Sequence, residues 1–293
     1  MILESVAPGV EAVVLPHPTH EWLAAEAMPV RAYVVGGPRG DEVALVDAGY
    51  AAPASVDAIA AALRDRPVAA VLLTHAHPDH GGGAAAVAAR TGAPIRVHAA
   101  EASSYGADPA LFARPIAPGE TIDVAGRRLV AVAAPGHTHG GLAYHDPAAG
   151  LLFAGDSVLG EGTVVVGPPD GDMLAYLATL ERLRALDPLA TILPGHGPPV
   201  LDPRRKLDEY VRHRRLREAQ VVALLEAGPV SADDVVAAHY AGAVPPSLLP
   251  LARISALGTL EKLVAEGRAT RDGERYRPAA GSSPPVDVAR PRP

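Results

Sequence analysis

Cysteine is absent from the 293 residues, which excludes disulfides and thiolate metal sites and leaves His, Asp and Glu as the strong ligands for a transition metal. Aromatic side chains are scarce, at 4% of a chain that is 48% apolar. Ala, Val and Leu must therefore fill the core, and dense aromatic stacking platforms are not expected. No apolar run approaches membrane-spanning length. The start, MILESVAPGVEAVVLP, carries Glu4 and no basic stretch before an apolar run, unlike a secretory signal; the expected location is cytoplasmic. Basic residues are few where most of the chain lies. Residues 1–200 hold 11 Lys and Arg against 21 Asp and Glu, and residues 201–293 hold 15 against 12, so the two parts carry −10 and +3 of the net −7. That balance argues against indiscriminate binding of nucleic acid.

What is present up to about residue 200 is an alternation of short Val-, Leu- and Ile-rich runs with Gly/Pro loops: RAYVVGG (31–37), EVALVDAG (42–49), VAAVLLTHA (68–76) and RRLVAVAAPG (127–136). These read as strands. Helical stretches at 54–64, 81–91 and 172–186 lie between such runs, predicting layers of helix around mostly buried sheet, an α/β class. Beyond 200 the pattern changes. Leu207, Tyr210, Val211, Leu216, Val221 and Leu224 recur at helical spacing between a start at Asp202-Pro203 and a stop at Gly228. Two further helices fit 231–241 and 246–267, and GRATRDGERYRP (267–278) reads as a hairpin turning at Asp272-Gly273. Three helices and a hairpin are the order of a winged helix. The end, AAGSSPPVDVARPRP (279–293), is too poor in apolar residues to pack, and disorder is expected there.

Chemistry concentrates in THAHPDHGGG (74–83), directly after the strand VAAVLLT. Four ligand-type side chains fall within six residues, and core packing cannot explain them, because unpaired imidazole and carboxylate are costly to desolvate. Metal binding resolves that cost, with His75 and His77 free to face one ion and Asp79 and His80 a second. Three later positions, His137 in APGHTHGG, Asp156 in LLFAGDS and His196 in TILPGHGPP, likewise stand beside Gly at the ends of apolar strands, where sheet enzymes gather their sites.

This ordered set resembles the metallo-β-lactamase superfamily, whose HxHxDH motif, later His, bridging Asp and final His match His75, His77, Asp79, His80, His137, Asp156 and His196. The resemblance implies a four-layer αββα sandwich over 1–200 with a small winged-helix domain over 201–278. It also implies two zinc ions per chain, one on His75, His77 and His137, the other on Asp79, His80 and His196, with Asp156 shared and a hydroxide between the metals as nucleophile. By the same resemblance Asp79 is expected to have a further catalytic part in orienting that water, and Asp47, at the end of ALVDAG, to support the ligand loop by hydrogen bonding. Asp at 156 and the lack of Cys set the chain apart from β-lactamases that use a Cys ligand.

SVLGEGTVVV (157–166) and the segment 194–225 resemble the LACTB2-like branch, with its C-terminal winged helix. That likeness implies one of two substrates, single-stranded RNA cleaved at its phosphodiesters or an acyl-carrier or small thioester. Arg204, Arg205, Lys206, Arg212, Arg214, Arg215 and Arg217 offer a phosphate-contacting stripe or, read more plainly, a solvated helix face. A non-enzymatic winged-helix binder is the alternative of another class. It is disfavoured because helix 246–267 carries only Arg253 and Lys262 as cations; that helix is left to pack on the catalytic domain or to form a homodimer. His139 reads as a hydrogen-bonded loop residue, and His20 stands in an N-terminal loop that could fold over a metal cleft.

Overall fold

Two-residue alternation sorts the strands into layers. Along β3 (Val30–Gly36), Ala32 and Val34 face one apolar cluster while Tyr33 and Val35 face another. The computed structural model describes residues 2–15, 29–36, 42–104, 112 and 114–279, and the chain forms two units, 1–214 and 215–293.

In the first unit β1 (Ile2–Ala7), β2 (Val10–Leu15), β3 and β4 (Val43–Val46) pair antiparallel, and β5 (Val68–Leu72) and β6 (Ile95–Arg96) continue the sheet in parallel. A second sheet has the order β11-β10-β9-β8-β7, from β7 (Thr121–Val124), β8 (Arg127–Ala133), β9 (Leu142–Asp146), β10 (Leu151–Gly155) and β11 (Thr191–Pro194). Helices α1 (Pro53–Leu63) and α3 (Ala84–Thr91) cover the outer face of the first sheet, where Val56, Ile59, Leu63 and Val87 meet Val34 and Leu45. Helix α5 (Met173–Arg184) and the start of α6 (Pro203–Ala227) cover the second, packing Tyr176, Leu180, Leu207 and Tyr210 on Leu152 and Ile192. Between the sheets lie Val10, Tyr33, Val46, Leu72, Leu129, Tyr144, Phe153 and Leu193. This is the expected four-layer αββα arrangement, each layer burying one apolar face.

Two buried phenols join the sheets. The Tyr33 hydroxyl donates to the Pro194 carbonyl at 2.6 Å and the Tyr144 hydroxyl to the Leu73 carbonyl at 2.7 Å. Burial pushes both phenols above their ordinary pKa, so each remains a donor.

The second unit packs Val221 and Leu225 of α6, Val235 of α7 (Ala232–His239), Leu260 and Leu263 of α8 (Leu249–Ala265) and Tyr276 of the hairpin β12 (Ala269–Asp272) and β13 (Arg275–Pro278) into its own core. Ser231 and Asp234 form a capping box at the start of α7. Helix, helix, helix, hairpin is the winged-helix order expected.

Several details differ from the sequence reading. The loop of the final hairpin is Gly273-Glu274, because Asp272 already pairs with Arg275; Gly273, at φ +59°, takes the first central position that a two-residue turn reserves for glycine. Leu216 is 57% exposed rather than on the apolar face of α6. The buried stripe runs through Leu207, Tyr210, Val211, Arg214, Val221 and Leu225, so the position that Leu216 was expected to fill belongs to an arginine. The predicted helix 81–91 is preceded by a separate turn, α2 (Pro78–Gly81), with Pro78 at its start. The tail from 280 and His20 lie outside the described residues. Among the described residues no helix is long and apolar enough to cross a membrane.

Candidate metal centre

Strand ends deliver the donor residues. His75 and His77 follow β5, Asp79 and His80 ride on α2, His137 lies between β8 and β9, Asp156 directly follows β10, and His196 follows β11. The structure brings all seven together. His77 Nδ1 lies 3.1 Å from His75 Nε2 and 3.0 Å from His137 Nε2. On the other side His196 Nε2 is 3.1 Å from Asp79 Oδ2, and His80 Nε2 is 3.7 Å from the same oxygen. Asp156 stands between, with Oδ1 3.2 Å from His80 Nε2 and Oδ2 3.7 Å from His137 Nε2 and 3.6 Å from His196 Nε2. Among the described residues, His75/His77/His137, Asp79/His80/His196 and His75/His80/Asp156 each place their ligand atoms within 4.8 Å of one another.

Hydrogen bonds behind the centre decide which nitrogen faces it. His137 Nδ1 donates to the Val165 carbonyl at 2.8 Å, which can only accept, so its Nε2 lone pair turns inward. His80 Nδ1 donates to Asp47 Oδ2 at 2.8 Å with the same result. Asp47 also accepts from the Thr74 amide and hydroxyl, at 2.8 and 2.9 Å, and so ties β4 to the start of the ligand loop.

Burial and mutual charge shape the protonation. Burial pushes the His75 pKa well down and that of His137 down, with neighbouring imidazoles adding to both effects. Burial acts the same way on His80, but Asp156, Asp79 and Asp47 outweigh it and hold that imidazole well above its ordinary value. His196 is raised against its burial by Asp156 and Asp79. Conversely, burial raises Asp79 and Asp156, and His80 and His196 outweigh it to keep both below the carboxylate range. Imidazoles held up and carboxylates held down by one another make a charge pattern that a divalent cation can take over.

The donor set fits such cations. His80 Nε2 and Asp156 Oδ1 are buried without a well-aligned hydrogen bond although they face each other, an expense that coordination removes. Gly195 is obligatory here, since a Cβ would come within 2.4 Å of His80 Cε1 and 2.5 Å of Asp156 Oδ1.

A cleft of about 430 Å³ opens beside the His77 side of the centre, lined by Ala76, His77, Pro78, Gly82, Glu101, Thr138, His139 and Asp170. Asp170 Oδ2 stands 3.6 Å from His77 Nε2. His139 stays outside the donor groups and is hydrogen-bonded to the Pro169 carbonyl at 3.1 Å. Sequence reasoning missed Glu101, Thr74 and Asp170.

The basic run of α6 is mostly engaged. Arg204 pairs with Asp187, Arg205 with Asp202 and Lys206 with Glu209. Arg214 is buried over the Tyr176 ring and donates to the Val164 carbonyl, while Arg217 lies over Tyr240. Only Arg212 and Arg215 of the seven are exposed with no pairing described above.

Residues 25–196 match the family model of the metallo-beta-lactamase superfamily. A Drosophila melanogaster protein, "Beta-lactamase-like protein 2 homolog", is 32% identical over 213 residues, covering 68% of this chain and 69% of that one. The chain belongs to the metallo-beta-lactamase superfamily. Its C-terminal residues 231–279 match the beta-lactamase associated winged helix domain. Within the superfamily, a hydroxyacylglutathione hydrolase of Rhodobacter capsulatus is 36% identical over 197 residues, covering 65% of this chain and 72% of its own. A solved metallo-beta-lactamase family protein from Thermus thermophilus superposes with a TM-score of 0.76 at 26% identity, over 94% of this chain and all of that one. Superfamily membership and the His/Asp cluster together make the protein a metal-dependent hydrolase.

Proposed function

We propose that this hydrolase acts on acyl thioesters and works with two divalent cations, zinc by preference, one held by His75, His77 and His137 and the other by Asp79, His80 and His196, with Asp156 shared. Nitrogen and carboxylate donors without thiolate suit zinc in an open, catalytic setting. The observation that carries the choice of substrate is the cleft: its lining holds no Lys or Arg among the described residues, and the carboxylate of Asp170 looks into it. The phosphodiester backbone of RNA is positioned largely by cationic side chains, whereas an acyl thioester is neutral at its reacting carbon. The engagement of most α6 cations points the same way, as does the similarity to a hydrolase named for hydroxyacylglutathione, itself a thioester.

Bound cations supply acidified water and stabilisation of negative charge on an acyl oxygen. The chain's own residues do the rest. Asp79 has the most accessible carboxylate at the centre, 21% exposed against 11% for Asp156 and 3% for Asp47. Ionised, as a carboxylate ligand must be, it would accept a hydrogen bond from water and aim it at the acyl carbon. As the water oxygen bonds to the acyl carbon the C–S bond breaks, the water's proton passes by way of the Asp79 carboxylate to the leaving sulfur, and acid and thiol leave through the cleft.

The test is to purify the protein, count its metal and assay acyl thioesters, single-stranded RNA and a chromogenic β-lactam with and without chelator. Chelator-sensitive thioester hydrolysis is expected, lost to background in Asp156→Ala. Chelator-sensitive cleavage of RNA without thioester hydrolysis overturns the substrate, and full activity of Asp156→Ala removes that residue from its shared place.

A further inference from the structure

Glu101 is no part of the donor set, yet its carboxylate touches two of the loops that carry it. It lies in the first turn of α4 (Ala99–Ser104) and is 3% exposed. Its Oε2 accepts from the Ala76 amide at 2.8 Å and its Oε1 from the Gly140 amide at 2.7 Å. Ala76 separates His75 from His77, and Gly140 lies three residues beyond His137. The first loop leaves β5 of the six-stranded sheet, and the second enters β9 of the other. One side chain therefore ties together, by charge-assisted bonds, segments that belong to different sheets. Contact is close on the second loop: a Cβ on Gly140 would meet His98 Nδ1 at 2.7 Å and Glu101 Cγ at 2.9 Å. The Asp79/His80/His196 group has a different support, the carboxylate of Asp47 on His80 Nδ1.

We infer that Glu101 is a positioning residue for the His75/His77/His137 group, setting the distance between the His77 and His137 loops while leaving the Asp79/His80/His196 group unaffected. This rests on the reading that the cluster holds two cations. Glutamine at 101 keeps the shape but sets an amide NH2 against one of the two backbone N–H donors, so one tie is lost.

The experiment is zinc titration of the full chain against a chromophoric chelator, for wild type and Glu101→Gln. Two equivalents are expected in wild type. In Glu101→Gln one class should weaken by about 10- to 100-fold, the range typical of lost support behind a metal ligand, and the other should hold its affinity. Equal weakening of both classes, or of neither, overturns the inference; a wild type that binds no zinc overturns the two-cation reading beneath it. Should the variant not fold, amide hydrogen exchange of the wild type supplies the same decision. The Ala76 and Gly140 amides should be protected in the metal-free protein as well as in the zinc-loaded one, and free exchange at both without metal defeats the proposal.

Discussion

Asp47 adopts a φ of +59°, a left-handed backbone that aspartate tolerates better than most residues, and from there it reaches both Thr74 and His80. Replacing it by Asn leaves a carbonyl for Thr74 but opposes an NH2 to the His80 Nδ1 proton, which favours the wrong tautomer. Asp47→Asn should therefore weaken zinc binding by about 10- to 100-fold in the class that contains His80, and should also loosen the other class through Thr74, which bonds both Asp47 and His75; chelator competition reads this directly, and unchanged affinity in both classes removes Asp47 from its supporting role. At this scale the donors are legible in the sequence, because His and Asp beside Gly at strand ends have few other uses. Glu101 is not legible. Its partners lie 25 and 39 residues away, and a single Glu in an Ala-rich helix carries no local sign of which loops fold against it. Arg214 misleads for the same reason: within a run of cations only its register on the buried stripe tells it from its neighbours.

Helix α6 was readable as an element from its Asp202-Pro203 start and its spacing, but not which of its polar residues are inward. The hairpin of β1 and β2 is not legible because no residue of β1 is fully buried and the strand lacks apolar alternation. In the second unit Glu218 of α6 accepts from Lys262 at 2.8 Å and pairs with Arg268, while Lys262 also reaches Glu266 at 2.7 Å. Burial raises the Glu218 pKa, but the two cations outweigh it and keep it below the carboxylate range. A carboxyl depressed in the folded state lends stability above its unfolded pKa, about 4.3, and loses it as pH falls through the folded value. Glu218→Gln should thus cost about 1.5 to 3 kcal/mol at pH 7, the worth of hydrogen bonds to charged groups, and the gap from wild type should close towards pH 3. Thermal melts at the two pH values check this; an equal gap at both would show that the charge is irrelevant.

For the molecule as a whole, two units with separate cores and only one donor cluster among the described residues imply an asymmetric response to metal. Calorimetry of the full chain with zinc and then with excess chelator should move the transition of residues 1–214 and leave that of 215–293 in place. At a hundredfold excess over the dissociation constant, zinc adds about 2.7 kcal/mol to the unit that binds it. Equal shifts of both transitions would contradict the assignment. The layered architecture was legible from alternation and from family resemblance, since burying apolar faces in pairs leaves few arrangements open; the cross-sheet phenols were not, because nothing local marks which carbonyl a buried Tyr will meet. Yet those phenols govern how the enzyme can behave. Tyr33 and Tyr144 run in opposite directions, each gripping the backbone just ahead of a donor loop. Latched twice, the two layers resist sliding past each other, which favours jaws of constant gape. Choice among substrates then falls to the rim around those jaws, where it can be retuned without disturbing the frame.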